Sequence, residues 1–199
     1  MIDHDLIDQC SAVVIQAATG PVPTKFEYVY VVDNVLHVDM IHKLYNYIKT
    51  VDPLKWHAVT GQEHNNRQSI VWDPDTVIEE LHETFSRATP QINQLFDSAN
   101  LNFIGVQLWR DQQGYYTGLH QDNVTIDVSC QIYLFENNSA LGTTFVRGEH
   151  AVEIPYKNNS GYLMINNRDS ELYHTTSCAT PAGVTRYSVY AVWSRTAKQ

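Results

Sequence analysis

Cysteine is scarce in this chain. The three residues, Cys10, Cys130 and Cys178, are an odd number with none of the spacings of a metal finger. They exclude a disulfide-stapled fold and read as reduced, half-buried thiols of a cytoplasmic protein. Positive charge is short as well: 13 Lys and Arg against 22 Asp and Glu leave a net charge of −9. That balance argues against a surface built for duplex DNA, RNA or anionic lipid, although one or two local arginines would still suffice for a small anionic ligand. No apolar run approaches the ~20 residues that cross a membrane, so no membrane partner is expected. The acidic opening MIDHDLIDQCSAVVIQ lacks the basic region of a signal peptide. Internal repeats and low-complexity tracts are absent. What is present, 43% hydrophobic and 18% charged residues in a chain of 199, is ordinary for a globular protein with a full core. We therefore expect a single domain over 1–199.

The periodicity changes once along the chain. Ile2, Leu6, Cys10, Val13 or Val14, and Ala17 recur at helical spacing, which predicts an amphipathic helix over 3–18, ended by Gly20-Pro21-Val22-Pro23. Phe26–Val32 is rich in β-branched and aromatic residues and predicts a strand. Asp39 is placed to cap a helix carrying Met40, Ile41, Leu44, Tyr47 and Ile48 on its apolar side. Residues 57–69, HAVTGQEHNNRQS, are polar and predict a long exposed loop, with His64 and Arg67 as candidate substrate-lid residues. Two more helices follow, one over about 74–87 and one opening at Thr89-Pro90. From Asn102 onward the pattern is that of strands: Phe103–Trp109, Tyr116–His120, Val128–Phe135, Thr143–Val146, Ala151–Ile154, Tyr162–Ile165, Leu172–Thr176 and Thr185–Trp193, separated by turn signals such as Asp111-Gln112-Gln113-Gly114. The expected architecture is α+β but mainly β: a two-sheet jelly roll over 101–195, with a helical and strand lead-in over 1–100 packed outside one sheet.

One stretch carries chemistry. Tyr115–Asp122, YYTGLHQD, ends in His120-Gln121-Asp122, and on an extended segment residues two apart face the same side. Nine His and 22 acidic residues give about one His-x-Asp/Glu by chance, and His37-Val38-Asp39 is read as that accident. The later motif gains weight from His174 in a late strand, which a jelly roll can bring to the same mouth. Two imidazoles and one carboxylate on one face, with the remaining positions open, are the ligand set of non-haem Fe(II) oxygenases. A zinc site would favour three histidines or cysteines, and the chain shows neither. Arg186 stands in an otherwise apolar strand, where a guanidinium needs an anion. No acidic residue lies near it in sequence. Ser188 shares its face.

The segment from His174 through Thr185-Arg186-Tyr187-Ser188-Val189-Tyr190-Ala191-Val192-Trp193 resembles the end of the 2-oxoglutarate/Fe(II)-dependent dioxygenase family, especially its prolyl 4-hydroxylase-like branch. Ile132-Tyr133-Leu134 followed by Gly142-Thr143-Thr144-Phe145 is similar to the same branch, and Val31-Val32-Asp33-Asn34 more loosely so. The resemblance covers about 102–195 well and reaches back to about 28. It implies a double-stranded β-helix core. It further implies that His120, Asp122 and His174 hold Fe(II), that Arg186 pairs with the distal carboxylate of 2-oxoglutarate, and that Tyr133, Ser188 or both complete that pocket. The co-substrates implied are 2-oxoglutarate and O2. Trp109, Tyr115 and Tyr116 are candidates to line the mouth, and an indole donates but does not accept a hydrogen bond, so Trp109 does not take over the role of the family's strand tyrosine. The activity implied is hydroxylation of a C–H bond, with a peptidyl side chain such as proline as substrate and decarboxylation of 2-oxoglutarate to succinate and CO2. Two alternatives stay open: oxidative demethylation of alkylated nucleobases, which the net charge disfavours, and a non-catalytic β-roll used for binding. No nucleic-acid partner is expected, and nothing in the residues specifies an oligomeric state.

Overall fold

The computed structural model describes residues 26, 28–59, 66–95, 100–123, 125–166 and 171–195. The helix predicted over 3–18, with Cys10, lies outside them, and so does His64. The elements in chain order are β1 (Val29–Asp33), α1 (Val38–Thr50), a short 3-10 turn (Pro53–Lys55), β2 (His57–Ala58), β3 (Arg67–Ile70), α2 (Val77–Arg87), α3 (Thr89–Leu95), β4 (Leu101–Asp111), β5 (Val128–Leu134), β6 (Asn138–Arg147), β7 (His150–Tyr156), β8 (Ser160–Ile165), β9 (Leu172–Thr176) and β10 (Arg186–Arg195). They form a seven-stranded sheet in the order β1-β8-β5-β10-β4-β3-β2 and a three-stranded sheet in the order β7-β6-β9, all pairs antiparallel. The two sheets make a double-stranded β-helix, the jelly-roll class expected.

The larger sheet is covered on both faces, and its period-two alternation sorts residues by chemistry. Its outer face carries Val106, Leu108, Cys130, Ile132, Leu134, Leu163, Val189, Ala191 and Trp193, which pack with Leu44 of α1, Ile78, Leu81 and Phe85 of α2, and Ile92 of α3. Burial of these side chains, each worth roughly 1.5–3 kcal/mol when fully removed from water, fixes the helices to that sheet. A second cluster, with Tyr133, Phe145, Ile154, Tyr156, Tyr162, Met164 and Leu172, fills part of the space between the sheets. The rest of that inner face is polar: Arg67, Asp111, Ser129, Gln131, Arg186 and Ser188 are all buried there. A polar inner face costs free energy unless every group is paired, so this is where a site belongs.

Local chemistry explains the helices. Thr76 caps α2 by accepting from the Ile78 N–H at 3.2 Å, and Val77, Ile78, Leu81 and Phe85 form its buried stripe. α1 is capped by His37, whose Nδ1 accepts from the Asp39 N–H at 3.3 Å; Asp39, the residue expected as cap, sits in the first turn beside the helix dipole's positive end.

Two expectations need correcting. The segment 57–69 is not a loop throughout. Its ends are β2 and β3, which pair with each other at the sheet edge, β3 pairing in turn with β4, and Arg67 is buried. The polar sequence misleads because Arg67 is neutralised and stacked, as described below. Tyr116–His120 is not a strand either: it is reduced to one bridge, His120 opposite His174. The ladder breaks because the Thr117 N–H bonds the Thr176 hydroxyl at 3.0 Å in place of a backbone carbonyl.

Gly161 marks a close approach of β8 to β5. A Cβ there would lie 1.8 Å from the carbonyl oxygen of Gln131, a backbone atom that cannot step aside. Gly161→Ala is expected to destabilise the protein by about 1–3 kcal/mol or more, read as a lowered midpoint in urea unfolding with unchanged slope.

Candidate metal centre and anion pocket

The site begins with backbone pairing. His120 and His174 exchange both N–H···O bonds, at 3.0 and 2.9 Å, so they are directly opposed and their side chains share a face. The imidazole centroids are 4.2 Å apart. Asp122, two residues beyond His120, turns its carboxylate to the same point: Oδ1 lies 3.4 Å from His174 Nε2 and 3.9 Å from His120 Nε2. One ligand atom from each of the three residues falls within 4.8 Å of the others, and no other such set of three occurs among the described residues. His37 and Asp39, by contrast, are spent on the start of α1.

Two of the three donors, His120 and Asp122, are oriented from behind. Nδ1 of His120 lies 2.7 Å from the Gly118 carbonyl. A carbonyl only accepts, so the proton resides on Nδ1 and Nε2 presents its lone pair to the cluster. Oδ2 of Asp122 accepts from Ser129 Oγ at 3.1 Å and from the Tyr190 hydroxyl at 3.2 Å, which reserves Oδ1 for the centre. Burial works to raise the Asp122 pKa, but the hydrogen bond and charge of His174, then the charge of His120, outweigh it and hold the carboxyl below its usual range. Burial and the Asp122 charge push Tyr190 well up, so it remains a donor. Two imidazoles and one carboxylate, all aimed from one side, fit a divalent non-haem metal. Ser129→Ala and Tyr190→Phe should each weaken metal binding, together by roughly 10–100-fold, with the unfolding midpoint nearly unchanged; anaerobic Fe(II) titration reads the effect.

From this centre a cavity of about 330 Å³ runs inward, lined among others by Trp109, Tyr115, Thr176, Arg67 and Arg186. That volume suits a small ligand. Its charged wall is a row across three strands. Arg67 of β3 and Arg186 of β10 both stand directly opposite Asp111 of β4. Asp111 Oδ1 accepts from Arg67 Nε at 2.5 Å; Oδ2 accepts from Arg67 Nη2 at 2.9 Å, from Arg186 Nε at 2.9 Å, and lies 2.8 Å from Arg186 Nη2. Arg186 Nη1 also donates to the Leu141 carbonyl at 2.6 Å. Burial alone would raise Asp111; the charges of Arg67 and Arg186 reverse this and lower it. Burial alone would lower Arg186, and Asp111 reverses that. The anion that Arg186 requires is thus supplied, in the first instance, by Asp111, which is 75 residues earlier and invisible to a search along the sequence.

An aromatic column stiffens the wall. Tyr190 stacks on Trp109 at 4.2 Å with 16° between planes, and the Arg67 guanidinium lies 3.8 Å from the Trp109 centroid and 4.2 Å from that of Tyr115. The column links the carboxylate of the metal centre, through the Tyr190 hydroxyl, to the arginines.

Other candidates are placed differently. Tyr133 is fully buried, donates to Thr143 Oγ1 at 2.6 Å and does not line the cavity. Ser188 is also buried behind the wall, where its hydroxyl accepts from Gln131 Nε2 at 3.0 Å. Tyr116 is half exposed, off the cavity, with its hydroxyl 3.4 Å from Thr175 Oγ1. Sequence reasoning missed Asp111, Ser129 and Tyr190. Tyr190 is two residues from Ser188 and four from Arg186 on the same face, a local signal; Asp111 stands at the end of β4, where Asp111-Gln112-Gln113-Gly114 reads as a turn.

No protein-family model and no curated protein sequence matches the chain. Solved structures do. The chain is similar to a prolyl-4-hydroxylase from Pseudomonas putida, at 18% identity and a TM-score of 0.67, over 94% of this chain and 100% of that one. It is similar to a prolyl hydroxylase from Trichoplax adhaerens solved with a peptide of the hypoxia inducible factor oxygen degradation domain, at 13% identity and 0.64, over 98% and 94%. A 2-oxoglutarate-Fe(II) oxygenase family oxidoreductase from Burkholderia pseudomallei matches at 12% identity and 0.67, over 84% and 86%. The chain therefore has the fold shared by prolyl hydroxylases and other 2-oxoglutarate/Fe(II) oxygenases.

Proposed function

We propose that this protein is an Fe(II)- and 2-oxoglutarate-dependent dioxygenase that hydroxylates a C–H bond of a peptidyl side chain, proline first among the candidates. The observation that carries the reading is the pairing of two sites in one cavity: His120, Asp122 and His174 at one end, and Arg67, Asp111 and Arg186 along its wall.

Charge accounting supports the co-substrate. A divalent cation held by one carboxylate leaves a net charge of about +1, and two arginines sharing one aspartate leave another +1. A dicarboxylate keto acid neutralises both, whereas a monocarboxylate leaves one buried charge uncompensated. Fe(II) held by the two histidines and Asp122 would supply O2 activation coupled to decarboxylation of 2-oxoglutarate, with one oxygen atom going to the substrate. The chain's own groups do the rest. His120 and His174 present lone pairs, Ser129 and Tyr190 hold Asp122 in place, and Trp109 and Tyr115 exclude water from the wall.

The peptide preference draws on the likeness to the Trichoplax protein solved with its peptide and on the net charge of −9, which disfavours a nucleic-acid substrate. Aerobic incubation with Fe(II), 2-oxoglutarate and a set of proline-containing peptides tests it. The expected result is succinate together with a peptide one oxygen heavier. Succinate formed without any peptide oxidised would retain the oxygenase and refute the peptide substrate.

A further inference from the structure

The segment that carries His120 and Asp122 is slipped by one residue against β9. In an antiparallel ladder hydrogen-bonded pairs recur every two residues on both strands. His120 and His174 are such a pair, so the next along β9, Thr176, would face Gly118. It faces Thr117 instead: the Thr176 N–H donates to the Thr117 carbonyl at 3.3 Å. The Thr117 N–H, which would seek the Thr176 carbonyl, is taken by the Thr176 hydroxyl at 3.0 Å. Gly118 and Leu119 thus stand opposite the single residue Thr175, the count of a β-bulge, a device that re-aims side chains beside functional sites. The slip has one chemical consequence. A regular ladder would spend the Gly118 carbonyl on the Thr176 N–H. Here that carbonyl is released, and it lies 2.7 Å from Nδ1 of His120.

We propose that the Thr176 hydroxyl sets this slip, which makes Thr176 the positioning residue for His120. The proposal rests on the metal-centre reading above. Thr117 and Thr176 are both buried, at 4% and 6% exposure, so water does not replace the hydroxyl as acceptor for the Thr117 N–H. In Thr176→Val the side chain keeps its branched shape and offers no acceptor. The segment regains backbone partners by sliding back until Gly118 faces Thr176. The Gly118 carbonyl is then withdrawn from His120, and the imidazole loses the bond that fixes its orientation. Thr176→Ser keeps the hydroxyl and the slip.

The test reads His120 directly. Proton NMR of the metal-free protein follows the imidazole N–H at Nδ1, assigned by its loss in His120→Gln; titration with Fe(II) under nitrogen and urea unfolding accompany it. Wild type and Thr176→Ser are expected to show a slowly exchanging Nδ1 proton and similar Fe(II) affinity. Thr176→Val is expected to lose that proton and to bind Fe(II) roughly tenfold or more weakly. A Thr176→Val protein that is merely less stable, with the proton and the affinity intact, overturns the proposal. If Thr176→Val does not fold, Thr176→Ser decides: retention of both readouts supports the proposal and loss of either overturns it. A folded wild type without the Nδ1 proton overturns the positioning alone. A wild type that keeps the proton but binds no Fe(II) overturns the metal-centre reading, and with it any role of Thr176 in metal binding.

Discussion

Asp111→Ala is expected to destabilise the protein by about 3–5 kcal/mol, because it leaves two buried guanidinium groups facing each other with no counter-charge. For a chain of 199 residues that corresponds to a melting temperature roughly 6–20 °C lower. The magnitude follows from burial. Asp111 is fully inaccessible, and Arg67 and Arg186 are 6% and 2% exposed, so water cannot replace the lost carboxylate. Exposed pairs such as Lys43 with Glu80, 2.6 Å apart, should by comparison contribute at most about 1 kcal/mol. The same argument fixes a pH dependence. The Asp111 pKa lies below that of an ordinary carboxyl, so its stabilisation is fully present above about pH 3.9, the unfolded value, and is lost as pH falls through the lower folded value. Melting curves between pH 2.5 and 6 should show a steep acid-side fall in wild type and a shallower one in Asp111→Ala. Equal melting temperatures at neutral pH would show that the row across β3, β4 and β10 is not what holds the wall.

Loss of any one candidate ligand should be more damaging to metal binding than loss of its support. Asp122→Ala removes the only anion of the centre; His120→Ala and His174→Ala each remove one lone pair of a facing pair. Each should lower Fe(II) affinity by more than the roughly 10–100-fold attributed to Ser129 and Tyr190, and abolish succinate formation. His37→Ala repeats the same chemical change at the other His-x-Asp of the sequence, where the imidazole only caps α1. It should leave Fe(II) affinity untouched. Isothermal titration under nitrogen separates these outcomes, and equal losses in His37→Ala and His120→Ala would mean that the binding measured is not at this centre.

Alternation and turn residues made most of the strands legible. Seven of the eight segments expected after Asn102 are strands, because strands buried on both faces, such as β5, leave long apolar and β-branched runs. The three candidate ligands were legible because a short His-x-Asp and a late histidine are local signals that a jelly roll has to bring together. The anion pocket was legible only in half. Arg186 stands out as a charge among apolar neighbours, but its partner Asp111 sits at a strand end that reads as a turn. Arg67 sits in a run so polar that it reads as exposed. What buries Arg67 is non-local, a carboxylate from β4 and two aromatic rings, and no window of sequence contains both halves. Tyr133 and Ser188 were assigned by resemblance, and in this chain Thr143 and Gln131 take up their hydroxyls.

The most direct test of the account is an anaerobic titration of the metal-free protein, first with Fe(II) and then with 2-oxoglutarate, in wild type and in Asp122→Ala. The account predicts stoichiometric Fe(II) binding in wild type, followed by a weak visible charge-transfer band when 2-oxoglutarate is added, and neither in Asp122→Ala. Absence of Fe(II) binding in wild type, or binding and a band that survive in Asp122→Ala, would contradict it and leave a β-roll binding protein as the better description.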